Sequence, residues 1–507
     1  MEASKRILLN TGVQYLRSGV YMLLTFLSTR YILRALGSSD YGLYSVVGSI
    51  VIMLGFITSS LASSTQRFLS YTHGQDDKDE LKLIFSNAMA IHATIAILLL
   101  LVMTVFESLI MSHLRIPASR FDAGEFVFLT VTLMIVISFV TSPIRALFIA
   151  RENIVYVSVV EMTDAVLKLV GAIALLFIPY DSLKVYALLM LSISVFNFLA
   201  YFLYAFYKYE ECHIPRISEI SRPYIKKLTG FAVWNVYAVG STVVRTQGIS
   251  VILNRFFGTI INAAYGIALQ LSNAVNTIAI SILNAMNPPL MKAEGRGDRQ
   301  AMLGFATKES KYSFIVLSVI LLPAICEMPQ ILSFWLHESD VPEHTVMFCN
   351  SLLIAFLIDQ TTIGLTSANQ AVGRIRNYTL LISTTRLLIL PAAWLCLKLG
   401  YPVQSVMVVY VSFETLCGII RIPFLKYTAG LSVRTYCVEV FLRPLLPVVA
   451  VLLVSWSVTQ YVQLPFRFIL TECLGLAVGT ALMYTVALTT AERMWIRETL
   501  LRKKQRP

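Results

Sequence analysis

The sequence predicts an all-α membrane protein that crosses the bilayer many times. Three observations carry this. Hydrophobic residues make up 57% of the chain and charged residues 14%, against about 25% charged in soluble proteins. Mean hydropathy is +0.71, too high for a chain surrounded by water. Apolar runs of about 20 residues, the length that crosses ~30 Å of hydrocarbon, recur from end to end.

The runs place about fourteen helices, at 9–33, 40–66, 81–111, 122–148, 153–178, 182–207, 228–254, 261–286, 310–335, 345–370, 376–397, 402–425, 437–461 and 467–490. Lys5 and Arg6 precede the first run, and no small-residue cleavage site follows it, so it reads as a retained helix and not a signal peptide. It ends at Leu36-Gly37. Tyr41-Gly42 leads into the second, which stops at the turn Gly74-Gln75-Asp76-Asp77-Lys78. The third holds a lone histidine, His92, expected to pack. The fourth contains Pro143 and the fifth is rich in charge. The sixth leads to the longest connection, 208–227. The seventh ends at Phe257-Gly258, Tyr265-Gly266 opens the eighth, and the turn Gly295-Arg296-Gly297-Asp298-Arg299 follows. Pro143, Pro288-Pro289, Pro323, Pro391, Pro444 and Pro447 mark candidate kinks.

The Gly/Tyr-Gly pattern and its turn thus recur about 224 residues apart. This predicts two pseudo-symmetric six-helix lobes, 1–207 and 228–430, in the same orientation. They are joined by a linker at 208–227 and followed by two further helices within 431–490 and a basic tail, 491–507. Such parallel repeats superpose about an axis along the membrane normal. Lys and Arg number 23 in the loops on the side of the termini and about seven on the other. Basic loops stay cytoplasmic, which predicts both termini inside. The net charge of +12 therefore reads as one-sided loops beside anionic membrane lipids, not as a nucleic-acid surface.

Polar residues within the spans give the candidate sites. Helix 1 carries a stripe of Gln14, Arg17, Tyr21, Thr25 and Ser28. Helix 7 carries Asn235, Thr242 and Arg245. Helix 8 carries Gln270, Asn273, Thr277, Ser281 and Asn284. Such stripes either bond helices together or line a wet cavity. Gln14, Arg17, Asn235, Arg245, Gln270 and Asn273 are the cavity candidates. Arg17 and Arg245 lead, because no acid on their own helix is spaced to neutralise them. Glu161, Asp164, Asp359 and Glu414 are candidates for ion coupling, although Lys168 and Arg386 are placed to neutralise some of them. No P-loop, GxSxG or metal-spaced His/Glu set is present. The seven cysteines form no CxxC pair. No enzyme chemistry, cofactor or metal is therefore expected.

At Leu36-Gly37-x-x-x-Tyr41-Gly42-Leu43-Tyr44, Gln66-Arg67-Phe68, and Pro143 through Arg151-Glu152-Asn153, the chain resembles the polysaccharide flippases of the MOP superfamily. These are the Wzx-type O-antigen and capsule translocases, relatives of MATE exporters and of the MurJ lipid II flippase. The resemblance covers essentially the whole chain. It implies a MATE/MOP-like bundle in the cytoplasmic membrane, no enzymatic activity, and an undecaprenyl-diphosphate-linked glycan as substrate, with H⁺ or Na⁺ as a possible coupling ion. By helix and depth it points to Arg17 and Arg245 for the diphosphate, which a guanidinium suits. The competing readings are a MATE-like cation or drug antiporter, which needs cavity acids, and a membrane-embedded glycan polymerase, which needs a larger external loop than any here.

Overall fold

A computed structural model of the chain describes residues 2–494 apart from 54, 75, 76, 152, 214, 338, 339, 374 and 491. Within these, side chains are described except at 2–18, 51, 52, 63, 67, 70, 71, 73, 74, 154, 227, 230–235, 238, 281, 284, 285, 288, 292 and 375. The described residues form helices and no strand. Among the described residues eight helices are long and apolar enough to cross a membrane, and up to ten spans result if each of two bent pairs counts as one. The chain is a multi-pass membrane protein. Helix α5, Ile154–Ala174, is not among the eight, because it carries three charged residues, Glu161, Asp164 and Lys168.

Two compact units divide the chain: Met1–Gly266 with Trp335–Glu343 and Ala393–Lys398, and Ile267–Phe334 with His344–Ala392 and Leu399–Pro507.

The first unit contains α1 (Glu2–Ile52), α2 (Gly55–Gly74), α3 (Lys78–His113), α4 (Phe121–Ala150), α5, α6 (Ser182–Lys208) and α7 (Arg222–Phe257), together with the start of α8 (Thr259–Gly295). α1 is two helices joined at Gly37, whose φ of 70° is the conformation glycine adopts without a Cβ clash. Gly258, with φ 84°, ends α7 in a similar backbone shape. The recurring glycines thus do the same job. Their neighbours also meet. A Cβ on Gly42 would lie 1.8 Å from the Thr259 carbonyl oxygen, and one on Gly266 would lie 2.8 Å from Ser45 Oγ. A buried chain of polar groups fixes this crossing: Ser49 donates to Ser250 (2.9 Å), Ser250 to Asn262 (2.7 Å), and Asn262 to the Gly42 carbonyl (3.2 Å). Close backbone approach closed by small polar side chains is how helices associate where lipid removes the hydrophobic drive. His92 packs as expected, fully buried, with Nδ1 at 3.0 Å from the Phe139 carbonyl.

The loops of this unit sort into two ends. At one, Arg120 bridges Asp40 and Asp181, and the Arg115 backbone N–H donates to Asn254 Oδ1 (3.0 Å). At the other, the 208–221 connection is pinned to α3. Ser86 donates to Glu219 Oε2 (2.6 Å), Asn87 donates to the Glu219 carbonyl (2.8 Å), and the Ser221 N–H donates back to Asn87 (2.8 Å). Arg151 holds Glu211 at 2.6 Å.

The second unit contains the rest of α8, α9 (Arg299–Cys326), most of α10 (Met328–Leu336), α11 (Thr345–Gln360), α12 (Ile363–Val372), α13 (Ile375–Leu387), the start of α14 (Ile389–Lys398), α15 (Gln404–Ala429), α16 (Val433–Cys437), α17 (Arg443–Tyr461) and α18 (Arg467–Leu482). π-helical turns at Val438–Leu442 and Met483–Ala487 complete it. The single helix expected at 310–335 is α9 and α10, separated at Glu327, and the one expected at 345–370 is α11 and α12, bent by 44°. No proline lies at that bend. Helices instead run through Pro143, Pro323 and Pro447, because neighbours can satisfy the carbonyl that a proline frees. Pro391 behaves as expected, three residues beyond the break at Leu388.

α17 and α18 pack on α9. A Cβ on Gly475 would lie 2.4 Å from Pro323 Cγ, and one on Gly479 would lie 2.8 Å from Val319 Cγ2. Arg467 clasps Glu327 through both carboxylate oxygens (2.8 and 3.0 Å), and Thr471 donates to the same group (2.7 Å). Lys311, 1% exposed, is closed by Glu439 (2.9 Å) and Glu492 (2.8 Å).

Glu219 gives a test of the pinned connection. Hydrogen bonds from Ser86 and His213 hold its carboxyl down at about 2, from an ordinary 4.5. A depressed acid stabilises the fold above its free value and loses that effect as pH falls toward the folded one. Limited proteolysis of 209–221 should therefore proceed at a steady rate from neutral pH down to about 4.5 and accelerate only below it. Glu219→Gln should accelerate cleavage several-fold already at neutral pH. An unchanged rate would show that the pin does not hold the segment.

Candidate functional site

Three groups of polar residues lie along the helices. The first surrounds an open cleft of about 360 Å³ in the first unit, between α2, α4 and α6. Its wall is hydroxyls, an amide and one cation: Thr58, Ser59, Thr141, Ser142, Asn197 and Arg145 among others. Thr58 Oγ1 and Asn197 Oδ1 are buried there without a protein partner. Such atoms are satisfied by water or by a ligand. No carboxylate lines the cleft itself. Two stand behind it on α5. Glu161 pairs with Arg145, and Asp164 is held by Lys168 (2.7 Å) and by the Asn197 amide (2.7 Å).

The cleft does not stand out in the sequence, although its signal is present. Ser138, Thr141, Ser142 and Arg145 on α4 follow i, i+3, i+4, i+7 spacing, which places them on one helix face.

The second group joins α11, α13 and α15. Arg386 binds Asp359 (2.8 Å) and Glu414 (2.9 Å), and Arg421 binds Asp359 (2.8 Å) and Thr362 Oγ1 (2.9 Å). Glu414 and Arg421 are both buried. Two guanidiniums face two carboxylates, so the cluster is neutral as a whole. All four acids singled out for ion coupling are thus ion-paired. The neutralisation expected from Lys168 and Arg386 is present, and Arg421 adds to it. Arg421 was not anticipated, because it lies on α15 seven residues beyond Glu414, and its role depends on how α11 packs.

The third group is the set of cavity candidates. Gln14 and Arg17 lie on α1 and Asn235 on α7, with side chains outside the described residues. Arg245, on α7, is buried within the first unit at 6% exposure. Gln270, half-buried, and Asn273, exposed, lie on α8 in the second unit. Among the described residues no three His, Cys, Asp or Glu side chains are grouped to hold a metal ion.

No protein-family model and no curated protein matches the chain. Solved structures do. A multidrug resistance MATE family transporter of the MOP superfamily, inward-facing, superposes with a TM-score of 0.68 at 11% identity, over 82% of this chain and 96% of that one. The lipid II flippase MurJ, inward closed, superposes at 0.66 and 12% identity, over 94% of this chain and 98% of that one. The eukaryotic MATE transporter AtDTX14 gives 0.59 and 14%, over 85% and 100%. At these identities the likeness is one of fold, and the fold is the one MATE transporters and MurJ share.

The α11–α13–α15 cluster is open to a direct test. Arg386→Ala leaves the buried Glu414 without its cation, which costs about 3–5 kcal/mol. Purified protein should melt earlier and accumulate less. Arg386→Ala combined with Glu414→Ala should recover part of the loss, because the orphaned charge is gone. A single variant that melts like the wild type would show that the pairing is dispensable.

Proposed function

We propose that the chain is a flippase that carries undecaprenyl-diphosphate-linked oligosaccharide across the cytoplasmic membrane for polysaccharide assembly. The observation that carries this reading is the distribution of charge. A cation exporter needs cavity acids to trade for its cargo, yet Glu161, Asp164, Asp359 and Glu414 are each matched by Arg or Lys. The polar cleft offers hydroxyls and an amide, a surface suited to sugar hydroxyls. The superposition on MurJ, a lipid II flippase, also covers more of this chain than those on the two MATE transporters described above.

On this reading Arg17 and Arg245 receive the diphosphate, helped by Gln14, Asn235, Gln270 and Asn273. The lipid tail stays in the bilayer while the head crosses, and fixed positive charge lowers the barrier for that anionic head. Fourteen spans, two six-helix lobes with two further helices, and cytoplasmic termini complete the proposal. H⁺ or Na⁺ supplies the drive.

The experiment is complementation in cells deleted for this gene. The chain should restore surface glycan and leave drug susceptibility unchanged. Arg17→Ala or Arg245→Ala should lower surface glycan by about tenfold or more, the equivalent of ~1.4 kcal/mol of lost binding, at wild-type membrane abundance. Lys at either position should rescue in part, since it restores charge but not the two-pronged geometry. Normal export by a well-expressed double Ala variant would remove the arginines from the mechanism. Drug resistance without glycan export would replace the flippase by an antiporter.

A further inference from the structure

Glu309 lies on α9 in the second unit and has no exposed surface. Its Oε1 accepts from Ser367 Oγ on α12 at 2.9 Å. Its Oε2 is buried with no hydrogen-bond partner. The charged groups around it are already engaged. On its own helix, Lys311 is closed by Glu439 and Glu492, Tyr312 donates to Glu492, and Lys308 is exposed over the Phe305 ring. From α11, Asp359 is held by Arg386 and Arg421. From α16, Tyr436 donates to the Thr361 carbonyl (2.7 Å), and its hydroxyl oxygen lies 2.9 Å from Ser310 Oγ. At the start of α17, Arg443 is taken by Glu439. α18 brings Arg467, bound to Glu327, and a further acid, Glu472. α12 contributes no charged residue. Among the described residues no cation is paired with Glu309.

A bare carboxylate in that position would cost far more than a neutral acid, and a group so placed takes up a proton instead. The contact that buries it is close and hinged. A Cβ on Gly364 of α12 would lie 2.0 Å from the Ala306 carbonyl oxygen, so the two backbones touch and water is kept out. Immediately before Gly364 the chain bends by 44° between α11 and α12. Side chains hold that bend: Tyr436 at the Thr361 carbonyl and Arg421 at Thr362.

We infer that Glu309 is a proton-binding site seated on the α9–α12 contact, loaded and unloaded as α12 pivots at residues 361–362. When the contact opens, the O–H bond of the Glu309 acid breaks, the proton passes to water, and the carboxylate remains, hydrated. Closing the contact reverses the step. The linkage of this proton to glycan export rests on the flippase reading; the site itself does not.

The test has two arms. Infrared spectroscopy of the full chain in lipid nanodiscs at neutral pH should show a protonated-carboxyl C=O component that Glu309→Gln removes. In Ser367→Ala the component should persist at higher frequency, as for a carbonyl relieved of a hydrogen bond; this variant keeps the site testable if Glu309→Gln does not fold. Spectra unchanged by both substitutions would overturn the site. In complemented cells, a protonophore should reduce wild-type surface glycan. Glu309→Gln should already export about tenfold less and should not respond further. Wild-type export by Glu309→Gln that still responds to the protonophore would overturn the coupling. Absence of glycan export in the wild type, with the infrared component present, would overturn the flippase reading and leave the proton site standing.

Discussion

A charge buried in a membrane protein must be matched or neutralised, and much of this architecture follows from that constraint. The low dielectric raises the cost of an unmatched ion to several kcal/mol or more. Asp359, Arg386, Glu414 and Arg421 meet it by forming a closed set across three helices. Glu327 meets it through a two-pronged Arg467, and Lys311 through two acids from the C-terminal part of the chain. Each solution ties together helices distant in sequence, so electrostatics here also selects which helices are neighbours. Glu309 stands apart because a proton is its counter-charge.

Where charge does not select neighbours, size does. Gly42 against the Thr259 carbonyl, Gly364 against the Ala306 carbonyl, and Gly475 against Pro323 are places where two helices approach too closely for any side chain. Gly37 and Gly258 serve a different need, a backbone conformation with positive φ. The two uses explain why the glycines of the repeated pattern sit so near each other in sequence. One turns the chain and the next admits the partner helix.

The sequence shows most of the helices, because the apolar runs match the bilayer thickness, and it shows the turning glycines, because few residues other than glycine take up that backbone shape readily. It also shows that Asp164 and Lys168 neutralise each other, since they are one helical turn apart. It does not show the break at 361–362, which no proline announces and which tertiary hydrogen bonds from Tyr436 and Arg421 maintain. Nor does it show that Lys311 and Glu309, two residues apart, have opposite fates. Lys311 finds two acids from the C-terminal part of the chain, whereas among the described residues Glu309 finds no cation. The cleft beside Arg145 lies between these cases: its α4 face is readable as a stripe, but the walls supplied by α2 and α6 are not.

The partners of Lys311 have a consequence for biogenesis. Glu439 and Glu492 lie 128 and 181 residues downstream, and Arg467 lies 140 residues after Glu327. At ribosomal rates of about 5–20 residues per second, the earlier charges wait on the order of ten seconds for their counter-ions. During that interval α9 must remain shielded, by the insertion machinery or at the membrane surface. The last two helices therefore complete the insertion of a segment made long before them. A ribosome that stalls after α15 would leave Lys311 and Glu327 without these partners, a defect that membrane quality control can recognise.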